Sequence, residues 1–227
     1  MSGILQGVLA SISGAALPVF GYVASSLTQV VASTTTFSGF NIGTAGPQRR
    51  VVVLVNFYAL SPATSLSSVT VAGQATSIAV TATNGRSVSA ICITVDPVTS
   101  GSTADVVVTA SANFFEVGLA TYSATNLSSI TPTDTDSATL SGVTRSIDVL
   151  KNGGIFGNGG HRGFIGTGGS ITWTNLTRDY FIDGYDTVIG YRTSGASYTA
   201  TGVDETRSVT CTMADESDPV ICYASFR

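Results

Sequence analysis

His161 is the only histidine of the 227-residue chain, and it stands in a glycine-rich stretch, Gly153-Gly154-Ile155-Phe156-Gly157-Asn158-Gly159-Gly160-His161-Arg162-Gly163. A Ser-His-Asp triad needs its base held rigidly against the nucleophile. No G-x-S-x-G elbow accompanies this histidine, so a surface or loop histidine is the expectation. The glycines form no phosphate cradle either. Lys151, the nearby lysine, precedes the run, and Arg162 stands where the third glycine of a dinucleotide fingerprint starting at Gly157 belongs. Glycines in strands mark bulges, tight corners or close approach of another backbone.

Two acidic pairs, Asp134-Thr135-Asp136 and Asp183-Gly184-Tyr185-Asp186, are the next candidates for chemistry. Glycoside hydrolysis needs two carboxyls facing each other across a cleft, which neighbours on one loop do not provide. Neither pair follows the EF-hand calcium pattern, so both are expected to be solvated turn acids. Zinc asks for Cys and His at fixed spacings. One histidine and three dispersed cysteines, Cys92, Cys211 and Cys222, do not supply them. No metal site and no cofactor is expected. The odd, sparse cysteine set is no disulfide framework. Buried free thiols are expected, with a Cys211–Cys222 bridge across a hairpin left open.

The remaining constellation is aromatic. Trp173, Tyr180, Tyr185, Tyr191 and Tyr198 follow one another closely, with Arg178, Asp179, Asp183 and Asp186 among them. Aromatic faces flanked by planar polar groups suit sugar stacking and protein interfaces. Aromatics also favour the interior faces of sheets. Both readings stand at this point: a packed core, or a recognition surface built from Trp173, Tyr180, Asp183, Tyr185 and Asp186.

Short strands must position these groups. Apolar runs with period two recur every 8–12 residues with turn signals between them, the mark of a sandwich or barrel. Val51–Val55 reads as a buried central strand, and Val69–Val71 as a short strand before a Gly73-Gln74 turn. Ile78–Thr81 and Val88–Ile93 read as a hairpin around Asn84-Gly85. Asp105–Val108 and Glu116–Tyr122 read as two further strands. Residues 126–138, rich in Ser, Thr, Asp and Pro, read as a crossover between two halves, and Val220–Phe226 as the closing strand. The expected fold is all-β: a jelly-roll-like antiparallel β-sandwich over residues 27–227, in two sheets and one domain.

Residues 1–26 are expected to form a separate N-terminal arm. Ile4, Val8 and Ile12 recur at a spacing of four, as do Leu5 and Leu9, so a short apolar helix or docking arm is predicted until Gly14 and Pro18 end it. A fully buried Ile or Leu contributes roughly 1.5–3 kcal/mol of transfer free energy, so five of them could anchor an arm in another subunit. No charged residue or histidine occurs before Arg49, hence no positive region of a secretory signal.

Composition excludes several classes of function. Charged residues make up 11% of the chain and the net charge is −4. Nucleic-acid binders carry a basic face, and here no basic cluster goes beyond the Arg49-Arg50 pair. Mean hydropathy is high at +0.35, yet no uninterrupted apolar run reaches membrane-spanning length, so no membrane insertion is expected. A protein with so few charges can stay soluble by burying much of its surface in an assembly.

Several stretches together resemble a β-sandwich family of tailed-phage virion proteins. They are Arg49–Val55, Leu66–Gly73, the Asp105–Thr109 strand, Gly169–Thr174, the ending Ala224–Arg227 and the opening Gly3–Gln6. The likeness extends from residue 28 over most of the chain and contains no catalytic signature. It implies a non-enzymatic structural protein on the particle exterior, assembled in the bacterial cytoplasm and then extracellular. Its partners would be itself, as a homo-oligomer, and other virion proteins. Tail tip or fibre is favoured over capsid decoration. The alternative is a carbohydrate-binding, lectin-like module for host glycan, with Trp173 and its neighbouring tyrosines exposed on one face.

Overall fold

The computed structural model describes residues 16–164, 169–184, 189–214 and 217–227. Fourteen strands, every pairing antiparallel, form three sheets, and no helix occurs among the described residues. The expected arm residues Ile4, Leu5, Val8, Leu9 and Ile12 lie outside them, so the predicted helix does too.

The first sheet contains β1 (Val19–Asn41), β2 (Arg50–Ala59), β3 (Leu66–Val71), β4 (Gln74–Asn84), β5 (Ser87–Thr94) and β6 (Thr103–Thr125), in the order β1-β6-β2-β5-β4-β3. The long β6 takes β2 along residues 114–124 and β3 along residues 106–110 of one edge. The β3–β6 pairing closes five strands on themselves and leaves β1 along the other edge of β6. The expected strands Asp105–Val108 and Glu116–Tyr122 are therefore parts of one continuous strand. The expected boundary between arm and sandwich, at residues 26 and 27, falls inside β1.

Alternation explains β2. Val51, Val53, Val55 and Phe57 point into the enclosed core of this sheet, with Val69, Val106, Phe114 and Leu119. Val52 and Leu54 point out of it, against Phe156, Tyr180, Cys222 and Phe226. A strand covered on both faces reads as an unbroken apolar run; here the run belongs to an antiparallel sheet with a second sheet laid over it.

The second sheet has the order β11 (Thr177–Asp183), β12 (Ile189–Thr199), β9 (Gly154–Phe164), β14 (Ser217–Phe226), β7 (Asp134–Ala138). The third is β10 (Ile171–Thr174), β13 (Glu205–Met213), β8 (Thr144–Val149). Ile155, Ile221 and Tyr223 of the second sheet meet Ile147, Ile171, Val209 and Met213 of the third. The second sheet is thus a middle layer, and three sheets stand where two were expected. Residues up to 125 build the first sheet alone; residues from 134 onward build the other two. The predicted crossover is the joint between them, except that its last residues form β7.

Turn chemistry sets two hairpins. Ala72 and Gly73 both have positive φ (53° and 76°), the geometry of a tight two-residue hairpin loop, between the paired Val71 and Gln74. The turn therefore lies one residue before the expected Gly73-Gln74. In the second hairpin Asn84 still pairs with Ser87, so the loop is Gly85-Arg86, with Gly85 at φ 57°.

Candidate functional site

The glycine-rich run is β9, the central strand of the middle layer, and glycine is required by what lies on either side. A Cβ on Gly157 would come within 2.6 Å of Trp173 Cζ3 and 3.0 Å of Leu176 Cδ1. On the opposite face, a Cβ on Gly160 would come within 2.6 Å of the Tyr191 hydroxyl and 3.0 Å of Asn56 Oδ1. The strand is stripped of side chains so that layers on both sides can close on its backbone, which is the close-approach reading of a glycine run. His161, expected at the surface or in a loop, is instead wholly buried within this strand, where Nδ1 sits 3.1 Å from the Arg162 carbonyl oxygen. Its position in a doubly covered strand removes it from solvent.

The aromatic constellation divides. Trp173 is half-buried between the second and third sheets, edge-on to Tyr223 with ring centroids 6.0 Å apart. Its Nε1 donates to Ser194 Oγ at 3.0 Å. Tyr180 is buried between the first and second sheets and stacks on Tyr22 of β1 at 6.0 Å, with planes 17° apart. Burial pushes its phenol above the ordinary range, against the opposing hydrogen bond with Thr193. Tyr191 is also fully buried. Trp173 and Tyr180 therefore sit in two different inter-sheet layers, not side by side on an exposed face, because their strands belong to sheets covered on those sides. Asp183 binds Arg192, Oδ1 accepting from Nε at 2.9 Å. Tyr185 and Asp186 lie outside the described residues. Among these aromatics Tyr198 is half-exposed, and the Arg207 guanidinium lies over its ring at 3.5 Å.

The first acidic pair has structural work. Asp134 Oδ1 accepts from the Thr135 amide at 2.8 Å and Oδ2 from the Asp148 amide at 2.9 Å. Asp136 Oδ1 accepts from the Ser137 amide, and Oδ2 faces Arg145 Nε at 3.7 Å. Another acidic group, Asp148, Asp204 and Glu205, lines an open depression of about 260 Å³ beside Leu150. Each of these acids has a partner in the fold: the Thr206 hydroxyl, the Lys151 amide and Arg207 Nη1, respectively. Among the described residues, no three His, Cys, Asp or Glu side chains gather as a metal site. Cys92, Cys211 and Cys222 are buried free thiols, which closes the open question of a Cys211–Cys222 bridge.

A buried polar layer between the first two sheets was not anticipated. Asn158 of β9 donates through Nδ2 to the carbonyls of Val55 and Ala90, at 3.0 and 2.9 Å. Its Oδ1 accepts from Asn56 Nδ2 at 2.5 Å, and Asn56 Nδ2 also reaches Thr193 Oγ1 at 2.6 Å. Ser89 Oγ donates to the Asn158 carbonyl at 3.2 Å. Glu116, almost fully buried, accepts from Gln29 Nε2 at 3.1 Å and from the Tyr191 amide at 3.0 Å, which ties β1, β6 and β12 together. Tyr122 donates to Asp179 Oδ2 at 2.9 Å across the same layer. Burial raises the Asp179 carboxyl above its usual range, with the Ser197 and Tyr122 hydrogen bonds opposing that rise. Arg49, read from sequence only as half of a basic pair, is wholly buried and clamps the carbonyls of Gly43, Val98 and Ser100. The available signal was an amide inside an apolar run, Asn56 in β2, and another inside the glycine run, Asn158.

The described residues that could do chemistry thus hold strands, loops and sheets in register. Comparison with protein-family models, with curated proteins and with solved structures returned no match.

Proposed function

We propose that this chain is a non-enzymatic structural protein of a tailed-phage particle. In this reading it is displayed on the exterior as a homo-oligomer and docked through the apolar segment bearing Ile4, Leu5, Val8, Leu9 and Ile12. A tail tip or fibre position fits better than capsid decoration. One observation carries the reading: polar side chains are spent on the fold's own architecture, with Asp134, Asp136 and Asp183 bound to the chain's own amides and arginines and others enclosed. His161, Asn56, Asn158, Glu116, Arg49 and Arg192 are all buried. What faces outward is mostly small, uncharged and stranded, a surface suited to being packed among copies. The resemblance of Arg49–Val55 and Leu66–Gly73 to phage virion sandwiches supports the same reading. The carbohydrate-binding alternative asks for an exposed aromatic platform, and it draws no support from the inward positions of Trp173 and Tyr180.

Mass spectrometry of purified particles, from cells carrying this coding sequence, tests the proposal. The chain is expected in several copies per particle, and Leu5→Ser/Leu9→Ser is expected to abolish its incorporation while the strand circular dichroism stays unchanged. Recovery of the wild-type chain only in the particle-free fraction overturns the reading.

A further inference from the structure

Unpaired strand edges are templates for another strand, and proteins ordinarily guard them with charge, proline, bulges or brevity. Most edges of this fold follow that rule. The edge strand β7 carries Asp134 and Asp136, β8 carries Arg145 and Asp148, and β11 carries Arg178, Asp179 and Asp183. β10 is four residues long. β4, charge-free beyond its short pairing with β3, lies against β14 and β7. β1 relies on bulges alone. It pairs only with β6 among the described residues, lies against β11 through Tyr22 on Tyr180, and its 23 residues contain neither a charge nor a proline. At about 3.3 Å per residue its outer edge runs roughly 75 Å. Val19, Tyr22 and Val31 are exposed along it.

We propose that the outer edge of β1 pairs antiparallel with β1 of a second copy, joining two first sheets into one continuous sheet across a two-fold axis. Bulges interrupt the register with β6 near Val23, between Gln29 and Thr34, and after Phe37. They leave Ala24–Gln29 as the longest stretch in unbroken step, and hence with the most regular outer backbone edge. A strand that pairs with itself about a two-fold needs no second surface, since the same patch serves both copies. Within Ala24–Gln29, a pairing centred on Ser26 or on Leu27 sets only Ala, Ser, Leu, Thr and Gln side chains opposite one another. No like charges meet, whereas on β7 the same self-pairing would bring Asp134 and Asp136 against the aspartates of the second copy. A charged partner would find nothing complementary on this strand. This proposal does not rest on the phage reading, because the edge exists whatever the chain's role.

The test uses the full chain. Light scattering from nanomolar to high micromolar concentration is expected to show a monomer–dimer equilibrium. Hydrogen exchange followed at both ends of that range is expected to slow about tenfold or more at the outward amides of Ala24–Gln29 in the dimer. Ser26→Lys/Thr28→Lys, which sets lysines against lysines across the axis, is expected to be monomeric at concentrations where the wild type is dimeric. Leu5→Ser/Leu9→Ser is expected to dimerise as wild type does, which separates this edge from the N-terminal arm. A monomer at every concentration overturns the proposal, and so does a dimer that survives the lysine pair. Protection of Ala24–Gln29 that is independent of concentration also overturns it, since the chain's own residues would then cover the edge. If the lysine variant does not fold, the concentration dependence of exchange in the wild type decides alone.

Discussion

Cys92 and Cys222 show what burial does to a reactive side chain in this protein. Both thiols are fully buried, and desolvation pushes each up to about 12, despite opposing hydrogen bonds with Thr76 and Ser89 respectively. The thiolate is the nucleophile, and its fraction stays negligible until pH approaches that raised value. Neither cysteine is therefore expected to react with iodoacetamide in the folded protein from pH 7 to pH 9, while both label once denaturant is added. Peptide mapping of the alkylated protein checks this, and rapid native labelling at either position would contradict their burial. That free thiols prevail was legible in the sequence from the odd, sparse cysteine count, although the question of a Cys211–Cys222 bridge stayed open until the structure closed it. The burial of His161 was not, because a glycine run looks the same in a loop as in a strand that is covered on both faces.

Strand β9 carries the argument at the level of elements. Its glycines let the Trp173 ring lie against one face and the Tyr191 hydroxyl approach the other. Overpacking a well-filled interior costs about 1–3 kcal/mol or more. Gly157→Val is expected to lose at least that much in urea denaturation, because the Trp173 ring is held by Tyr223 and Ser194 and has little room to retreat. Gly46→Ala, where a Cβ meets nothing within 4 Å, is expected to change stability by less than about 0.5 kcal/mol. Equal effects at the two positions would refute the close-approach account. The strands β2, β5 and β14 were legible because their apolar residues run unbroken or alternate. The union of Asp105–Val108 with Glu116–Tyr122 was not. The intervening Ala110, Ser111, Ala112 and Asn113 resemble a turn; ladder pairing breaks off after Ala110, but backbone hydrogen bonds from the Ser111 amide to Ser65 and from the Leu60 amide to Asn113 carry the strand through.

The whole molecule is two sequence-contiguous halves sharing one interface. Val52, Leu54, Ile91 and Tyr122 of the first half pack on Phe156, Val220, Cys222 and Phe226 of the second, and the Asn56–Asn158–Thr193 hydrogen bonds lie in the same layer. Each half has a core of its own, but parting them would expose this shared layer to water on both sides. Urea unfolding is therefore expected to be a single transition. The fluorescence of Trp173, which lies in the second half, and the far-ultraviolet circular dichroism of all strands should share one midpoint. Asn158→Ala removes the side-chain donor to Val55 and Ala90 and the acceptor for Asn56, and is expected to destabilise by about 2 kcal/mol or more. Two separate midpoints in the wild type would mean that the halves fold independently.

The sequence by itself determined the all-β class, most strand positions and the joint between halves. These follow from local signals: side-chain alternation and turn residues act over a few positions and survive in one dimension. Only the tertiary structure decided that the strands form three layers instead of two, that β3 closes on β6, and that Trp173 and Tyr180 face different inter-sheet cores. Alternation tells which residues of a strand share a face, but not what covers that face. Asn56 and Asn158 stand 102 positions apart and meet only because two sheets stack. The uncharged edge of β1 belongs to both kinds of information: its lack of charge is written in the chain, and its place at the end of the sheet among the described residues is decided by the order of strands.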